Sequence, residues 1–239
     1  MIGIGTLVNG AAIVAGGLCG LLGGSRMNER CREGLSLACG ISVLFIGIAG
    51  AMEKMLTVSN GVIGAGQSML LTICLALGAF FGELMNIEGA FERFGVWLKK
   101  KTGNSGDPVF VDGFVTASLT VSIGAMAIVG AIRDGIFGDW SILAAKAVLD
   151  FVIVLVMTCA MGRGCIFSAI PVLVFEGVMT LAASLLKPLM TDLALSYISL
   201  IGSVLIFCVG LNLVFGKKIR VANLLPAILL AAVAAFLPM

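Results

Sequence analysis

An all-α polytopic membrane bundle is the fold class this chain predicts, and three observations carry that expectation. Of its 239 residues, 60% are hydrophobic and 12% are charged, where a soluble domain carries about 25% charged residues. The apolar residues gather into eight stretches, each long enough to cross a bilayer with some tilt. The basic residues between them alternate in density, as lysine and arginine do across a membrane. A mean hydropathy of +1.16 agrees.

The eight stretches are Ile2–Leu22, Leu35–Met52, Val62–Phe81, Gly113–Ile132, Ser141–Met161, Cys165–Leu186, Leu193–Phe215 and Val221–Leu237. The last is the weakest, because it is short and opens near Pro226. One side of the membrane receives Arg26, Arg30, Arg32, Arg93, Lys99, Lys100, Lys101, Arg163, Lys217, Lys218 and Arg220. The other receives Lys54, Arg133 and Lys187. Basic residues mark the cytoplasmic side, so eight crossings put both termini outside the cytoplasm. The start MIGIGTLVNG has no basic region before its apolar run, which predicts no cleavable leader.

In the first stretch Gly16, Gly20 and Gly24 fall four apart on one helix face, and Gly78 and Gly82 repeat the spacing in the third. Lipid offers no hydrophobic drive between helices, so close backbone approach at small residues supplies the contact. These faces predict tight packing, either within the subunit or in a homo-oligomer.

Residues 83–101 do not span. Leu84, Ile87, Phe91, Phe94 and Leu98 recur at three- and four-residue steps, the mark of an amphipathic helix. With Trp97 and Lys99–Lys101 it suits either the anionic inner leaflet or the underside of the bundle. The turn-rich TGNSGDP that follows separates two halves of a single membrane domain, 1–239. Shifted by 114 residues, TLVNGAAIVAGG overlies TVSIGAMAIVGA, with Gly10 on Gly124 and Gly16 on Gly130. Residues 1–82 and 113–187 would then be inverted three-span repeats, joined by 83–112, with 188–239 adding two spans.

The fourth stretch carries Thr116, Ser118, Thr120 and Ser122, hydroxyls at four-residue spacing that either line a path or bond to the preceding turn. Arg133 and Asp134 close it at the outer face, as a gate or as an anchor for the turn with Trp140. Asn9, Gln67 and Asn212 are amides within spans, suited to interhelical bonds.

The fifth stretch holds Lys146 and Asp150, i and i+4 neighbours whose head groups can meet. A charge at the centre of a membrane helix costs roughly 2.5–3.5 kcal/mol on insertion scales. Such a pair either fixes the helix toward the bundle interior or takes part in a substrate or coupling site. Glu176 falls near the centre of the sixth stretch, at the depth expected for Asp150 and without a basic partner on its own helix. Pro171, five residues before it, predicts a kink or break whose freed carbonyls can bind an ion. A buried carboxyl there is either a proton carrier or a hydrogen-bonding group between helices.

Other chemistry is excluded by composition. The chain has no histidine, so neither a Ser-His triad nor an H-E-x-x-H zinc site can form. No C-x-x-C or phosphate-binding loop occurs, and no basic surface with interleaved aromatics suggests nucleic acid. We expect no enzyme, cofactor or metal site. The expected partners are the bilayer, a small solute or ion, and a second copy of the chain.

The segments MIGIGTLVNGAAIVAGG, SIGAMAIVGAIRDGIFGD, KAVLDF and FSAIPVLVFEG together resemble the uncharacterised YdfK/YqgA-like family of bacterial multi-pass inner-membrane proteins. The resemblance covers the whole chain and implies a plasma-membrane protein, but supplies no site to carry over. From the residues, the first expectation is a small secondary transporter with Lys146, Asp150 and Glu176 as its site. Their summed charge of −1 favours a cation, a zwitterion or a proton. A structural or regulatory membrane protein is the alternative, and a channel the third.

Overall fold

The computed structural model describes residues 2–24, 27–59, 62–122, 125–186 and 191–236. Arg26, Lys187 and Gly124, used above for the charge pattern and the repeat, lie outside them. The chain is an all-α polytopic bundle. In order come α1 (Ile4–Gly24), α2 (Glu29–Met55), a hairpin of β1 (Leu56–Ser59) and β2 (Val62–Ala65), α3 (Ser68–Met85) and α4 (Ile87–Lys101). Then follow α5 (Phe110–Ser122), α6 (Ala125–Phe137), α7 (Ser141–Met161), a 3₁₀ segment Arg163–Ser168, α8 (Ala169–Leu181) and α9 (Ala183–Leu186). The chain ends with α10 (Asp192–Phe215), a 3₁₀ turn Val221–Leu224 and α11 (Pro226–Ala234).

Among the described residues, six helical segments are long and apolar enough to cross a membrane, with Arg163–Leu181 counted as one, and the α5–α6 pair brings the count to seven. The eighth expected span is corrected. Pro226 sits at the start of a new helix, where its missing N–H costs nothing, and α11 has nine residues. Even with the preceding turn counted in, Val221–Ala234 falls below the 18 residues of the other spans and rises about 21 Å, against a hydrocarbon core of about 30 Å. The third span also starts later than expected. Residues 62–65 pair antiparallel with 56–59, and Gln67 stands before α3 with φ of 64°, so it is not an amide within a span.

Local chemistry marks the helix ends. Asn28 caps α2 by accepting from the Cys31 amide at 2.9 Å, and Thr191 caps α10 through Ala194 at 3.1 Å. Asn86, left-handed with φ of 49°, ends α3 and caps α4 through Gly89. Gly162, with φ of +83°, stops α7, a backbone that favours glycine.

Glycine faces join the helices in pairs. Gly16 faces the Phe151 carbonyl, Gly20 the Leu155 carbonyl and Thr158, and Gly24 the Cys159 backbone, so α1 lies along α7 without room for a Cβ. Gly78 abuts Ala227 and Gly82 the Asn223 carbonyl, bringing α3 against α11 and the turn before it. Both predicted faces are therefore occupied within the subunit. A third junction, α2 on α10, uses Gly40, Gly47 and Gly210.

The buried core gathers Ile13, Phe110, Phe114, Val154, Leu200, Ile201 and Leu205. Leu7, Leu18, Phe45, Val148, Val152, Val174 and Leu229 are exposed outside it, the surface a bilayer would cover. Helix α4 tucks under the bundle. Leu98 and Gly95 are buried, Gly95 against Val111 and Phe114 of α5, while Trp97 stays exposed and stacks on Phe94.

Candidate functional site

The predicted break in the sixth span lies elsewhere. Pro171 is the third residue of α8, directly after the 3₁₀ segment Arg163–Ser168, and Arg163–Leu181 runs on as one span. The bend falls in the fourth span, where Phe110–Ser122 and Met126–Phe137 meet at 62°. The last turn of α5 stands at that bend.

Lys146 reaches that turn. Its Nζ donates to the Val121 carbonyl at 2.7 Å and pairs with Asp150 one turn along α7. The same ammonium lies 3.7 Å from Glu176 Oε1 on α8. From α1, Asn9 Nδ2 donates to Glu176 Oε1 at 2.8 Å. Asn9 and Glu176 are fully buried, and Lys146 and Asp150 are 5% and 4% exposed. One cation, two carboxyl groups and one amide from three helices therefore meet beside the last turn of a fourth.

The three predicted site residues converge, but not at one depth. Asp150 falls at the middle of α7. Glu176 stands five residues before the end of α8, as Lys146 stands five after the start of α7 and Asn9 five after the start of α1. At 1.5 Å per residue that is about 7–8 Å below those ends. Glu176 thus shares the level of Lys146 and lies nearer one face than the midplane position expected from sequence.

Asn9 was visible as an amide within a span, but its partner was not. Its signal is the glycine stripe itself. Followed backward from Gly24, Gly20 and Gly16, the buried face of α1 continues through Ile13 to Asn9 and Gly5.

The fourth-span hydroxyls divide. Thr120 donates to the Thr116 carbonyl at 2.8 Å, the local bond expected of a helical threonine. Ser118 and Ser122, two positions on and so about 200° round the helix, keep buried hydroxyl oxygens with no hydrogen-bond partner. Thr116 lines a cavity of about 210 Å³ with Asp112, Val115, Leu119, Glu88 and Lys217.

Arg133 and Asp134 part as well. Arg133 is exposed and pairs with Asp139 at 2.7 Å. Asp134 is fully buried, and its Oδ2 accepts from the Gly5 amide at 2.9 Å. Beside it, Thr6 and Thr180 place their hydroxyls 3.4 Å apart.

A second cluster was missed from sequence. Lys217, after α10, lies 3.1 Å from Glu88 and also pairs with Glu92, both on α4. Burial works to lower the Lys217 ammonium, but the bonds to Glu92 and Glu88 outweigh it and raise it above its ordinary value. Glu88 also accepts from the Ala222 amide, and Asn223 accepts from the Glu88 amide at 2.7 Å. Arg220 pairs with Glu83 at 3.0 Å. These groups line a hollow of about 1070 Å³ that shares Glu88, Lys217 and Ile219 with the smaller cavity. Asn212, expected to bond between helices, instead holds this loop through the amides of Lys218 and Ile219.

The family model described as Protein of unknown function (DUF554) matches residues 4–236. The chain is 30% identical over 236 residues to the uncharacterized protein YqgA of Escherichia coli (strain K12), covering 95% of this chain and 94% of that one. It is 27% identical over 232 residues to the uncharacterized membrane protein YdfK of Bacillus subtilis (strain 168), covering 97% and 95%. No solved structure matches the chain.

Proposed function

Because the chain belongs to the DUF554 family, proteins of unknown function, we propose from its site that it is a small secondary transporter for a cation, a zwitterion or a proton. The observation that carries this reading is Glu176. It is a fully buried carboxyl between Asn9 and Lys146, whose ammonium also meets the Val121 carbonyl in the last turn of α5. Helix ends set against buried ionisable groups serve transporters as ion and substrate sites.

The roles follow from the bonds. Lys146 is the internal counter-charge, shared among Asp150, Glu176 and the Val121 carbonyl. An arriving cation or proton neutralises one carboxyl and frees the ammonium to shift toward the other. With one cation and two carboxyl groups within reach, the site balances on binding one positive charge. Thr116 and the cavity it lines form the approach from the α4 side, and Arg133 and Asp134 stand at the opposite face. In this reading the α4 side, which carries most of the basic loops, faces the cytoplasm of a bacterial plasma membrane and the start of α1 faces the outside. The C-terminus returns outside only if α11 crosses.

The experiment is flux in proteoliposomes with an internal pH dye, against a panel of cations and amino acids. Wild type acidifies or alkalinises the lumen with one class of solute, and Glu176→Gln and Asp150→Asn abolish the signal while staying folded. Transport by both variants at the wild-type rate sinks the site assignment. A silent wild type with variants that unfold favours a packing protein instead.

A further inference from the structure

A file of buried polar groups runs from Glu176 toward the end of the bundle where α1 begins. Asn9 donates to Glu176 Oε1. One turn away on each helix, Thr6 of α1 meets Thr180 of α8 hydroxyl to hydroxyl at 3.4 Å. Gly135 of α6 packs against the Thr180 carbonyl with no room for a Cβ, which brings the neighbouring Asp134 alongside. Asp134 in turn accepts from the Gly5 amide at 2.9 Å. From Gly5 to Asn9 the file covers four residues of α1, about 6 Å of rise.

Three oxygens in the file are buried with no hydrogen-bond partner among the described residues: Asp134 Oδ1, Asn9 Oδ1 and Glu176 Oε2. Their residues are all fully buried. Each of these oxygens is an acceptor when the carboxyl groups are ionised, and a buried acceptor seeks a donor. The ligand that suits such a file is one that brings O–H or N–H hydrogens. The two hydroxyls between the carboxyl groups each accept and donate at once, which a proton needs and a metal cation does not. The charged groups around the file are Lys146 and Asp150 of α7, at the Glu176 end, and Arg133, which is engaged by Asp139.

We propose that Asp134 and the Thr6–Thr180 hydroxyl pair are a proton relay between the outer face and Glu176. This rests on the reading of Glu176 as the coupling carboxyl and names the residues that load it. A proton leaving the Asp134 carboxylic acid crosses through one water to one threonine oxygen, which passes its own proton to the other. That hydroxyl passes its proton to Glu176, directly or through one water. Asp134 ends as carboxylate and Glu176 as acid, only O–H bonds form and break, and the charge of the file is unchanged.

The test is time-resolved infrared spectroscopy of the full chain in vesicles with the Arg133 face outward, after an external acid step. The Glu176 carboxyl band is the one that Glu176→Gln removes. In wild type it grows promptly. Thr180→Val slows its growth by about a hundredfold, the scale of one positioned proton-transfer group, and Asp134→Asn slows it likewise. Thr180→Ser, which keeps the hydroxyl, restores the wild-type rate, which a purely packing role for the threonine would not require. A band whose growth ignores Thr180→Val and Asp134→Asn overturns the relay and leaves the transport reading standing. If no Glu176→Gln-sensitive band responds to acid, both fall.

Discussion

Lys146 of α7 donates a 2.7 Å hydrogen bond to the carbonyl of Val121, in the last turn of α5 before the 62° bend. That bond ties the ammonium to α5 while it also serves Asp150 and Glu176. Lys146→Met should leave two buried carboxyl groups and the Val121 carbonyl without their cation. Breaking a buried pair from one side costs about 3–5 kcal/mol, so thermal unfolding in detergent should fall steeply. Lys146→Met with Asp150→Asn should recover part of the loss. A single variant as stable as wild type would show that the pair carries no structural load.

The α1–α7 junction makes a second expectation. A methyl group at Gly16 overlaps the Phe151 backbone carbonyl, which cannot swing aside as a side chain would. Gly16→Ala should cost about 1–3 kcal/mol, the scale of overpacking. Gly34, in α2, has nothing near its missing Cβ, and Gly34→Ala should gain about 0.5–1 kcal/mol from helix propensity. Equal melting shifts for the two would contradict this packing.

Neighbours in sequence should behave differently at the outer turn. Arg133→Ala removes an exposed ion pair with Asp139, worth about 0–1 kcal/mol. Asp134→Ala strips the Gly5 amide of its buried acceptor, at about 1–3 kcal/mol. Denaturant or thermal titration of both variants decides it, and the reverse order refutes the assigned roles.

The Lys217 junction predicts a pH dependence at the alkaline end. Its ammonium is raised above the ordinary value by Glu92 and Glu88 against the opposing effect of burial. A raised group contributes its full stability below the unfolded lysine value, about 10.4, and loses it as pH climbs through the folded value. Melting temperature should therefore hold through neutral pH and fall above that point. In Lys217→Met the alkaline fall should be shallower, and an identical profile would remove the junction as its cause.

Much of the fold was legible because lipid imposes a simple demand. Every spanning backbone group must be satisfied within its own helix, so long apolar runs were readable as helices directly. The glycine faces of α1 and α3 were legible for the same reason, since a four-residue spacing is a property of one helix. Where an element depended on its neighbours, the reading slipped. Pro171 looked like a break, but the 3₁₀ segment before it moves it into a first turn. The bend lies in the fourth span instead, without a proline to mark it. The apolar stretch from Val221 changes at Pro226 from a 3₁₀ turn to α11, which leaves a helical run shorter than the other spans.

By itself the sequence determined the membrane class, most of the long helices, the faces that pack, and three ionisable residues that the fold brings together. Each of these follows from composition or from spacing along a single helix. The tertiary structure alone decided that Glu176 lies at the level of Lys146, that Asn9 rather than a residue of its own helix holds it, and that Val121 lends a carbonyl. Those facts depend on how far each helix slides along its neighbour. That register is set by which glycine meets which backbone, a contact between distant segments that no single-helix pattern contains.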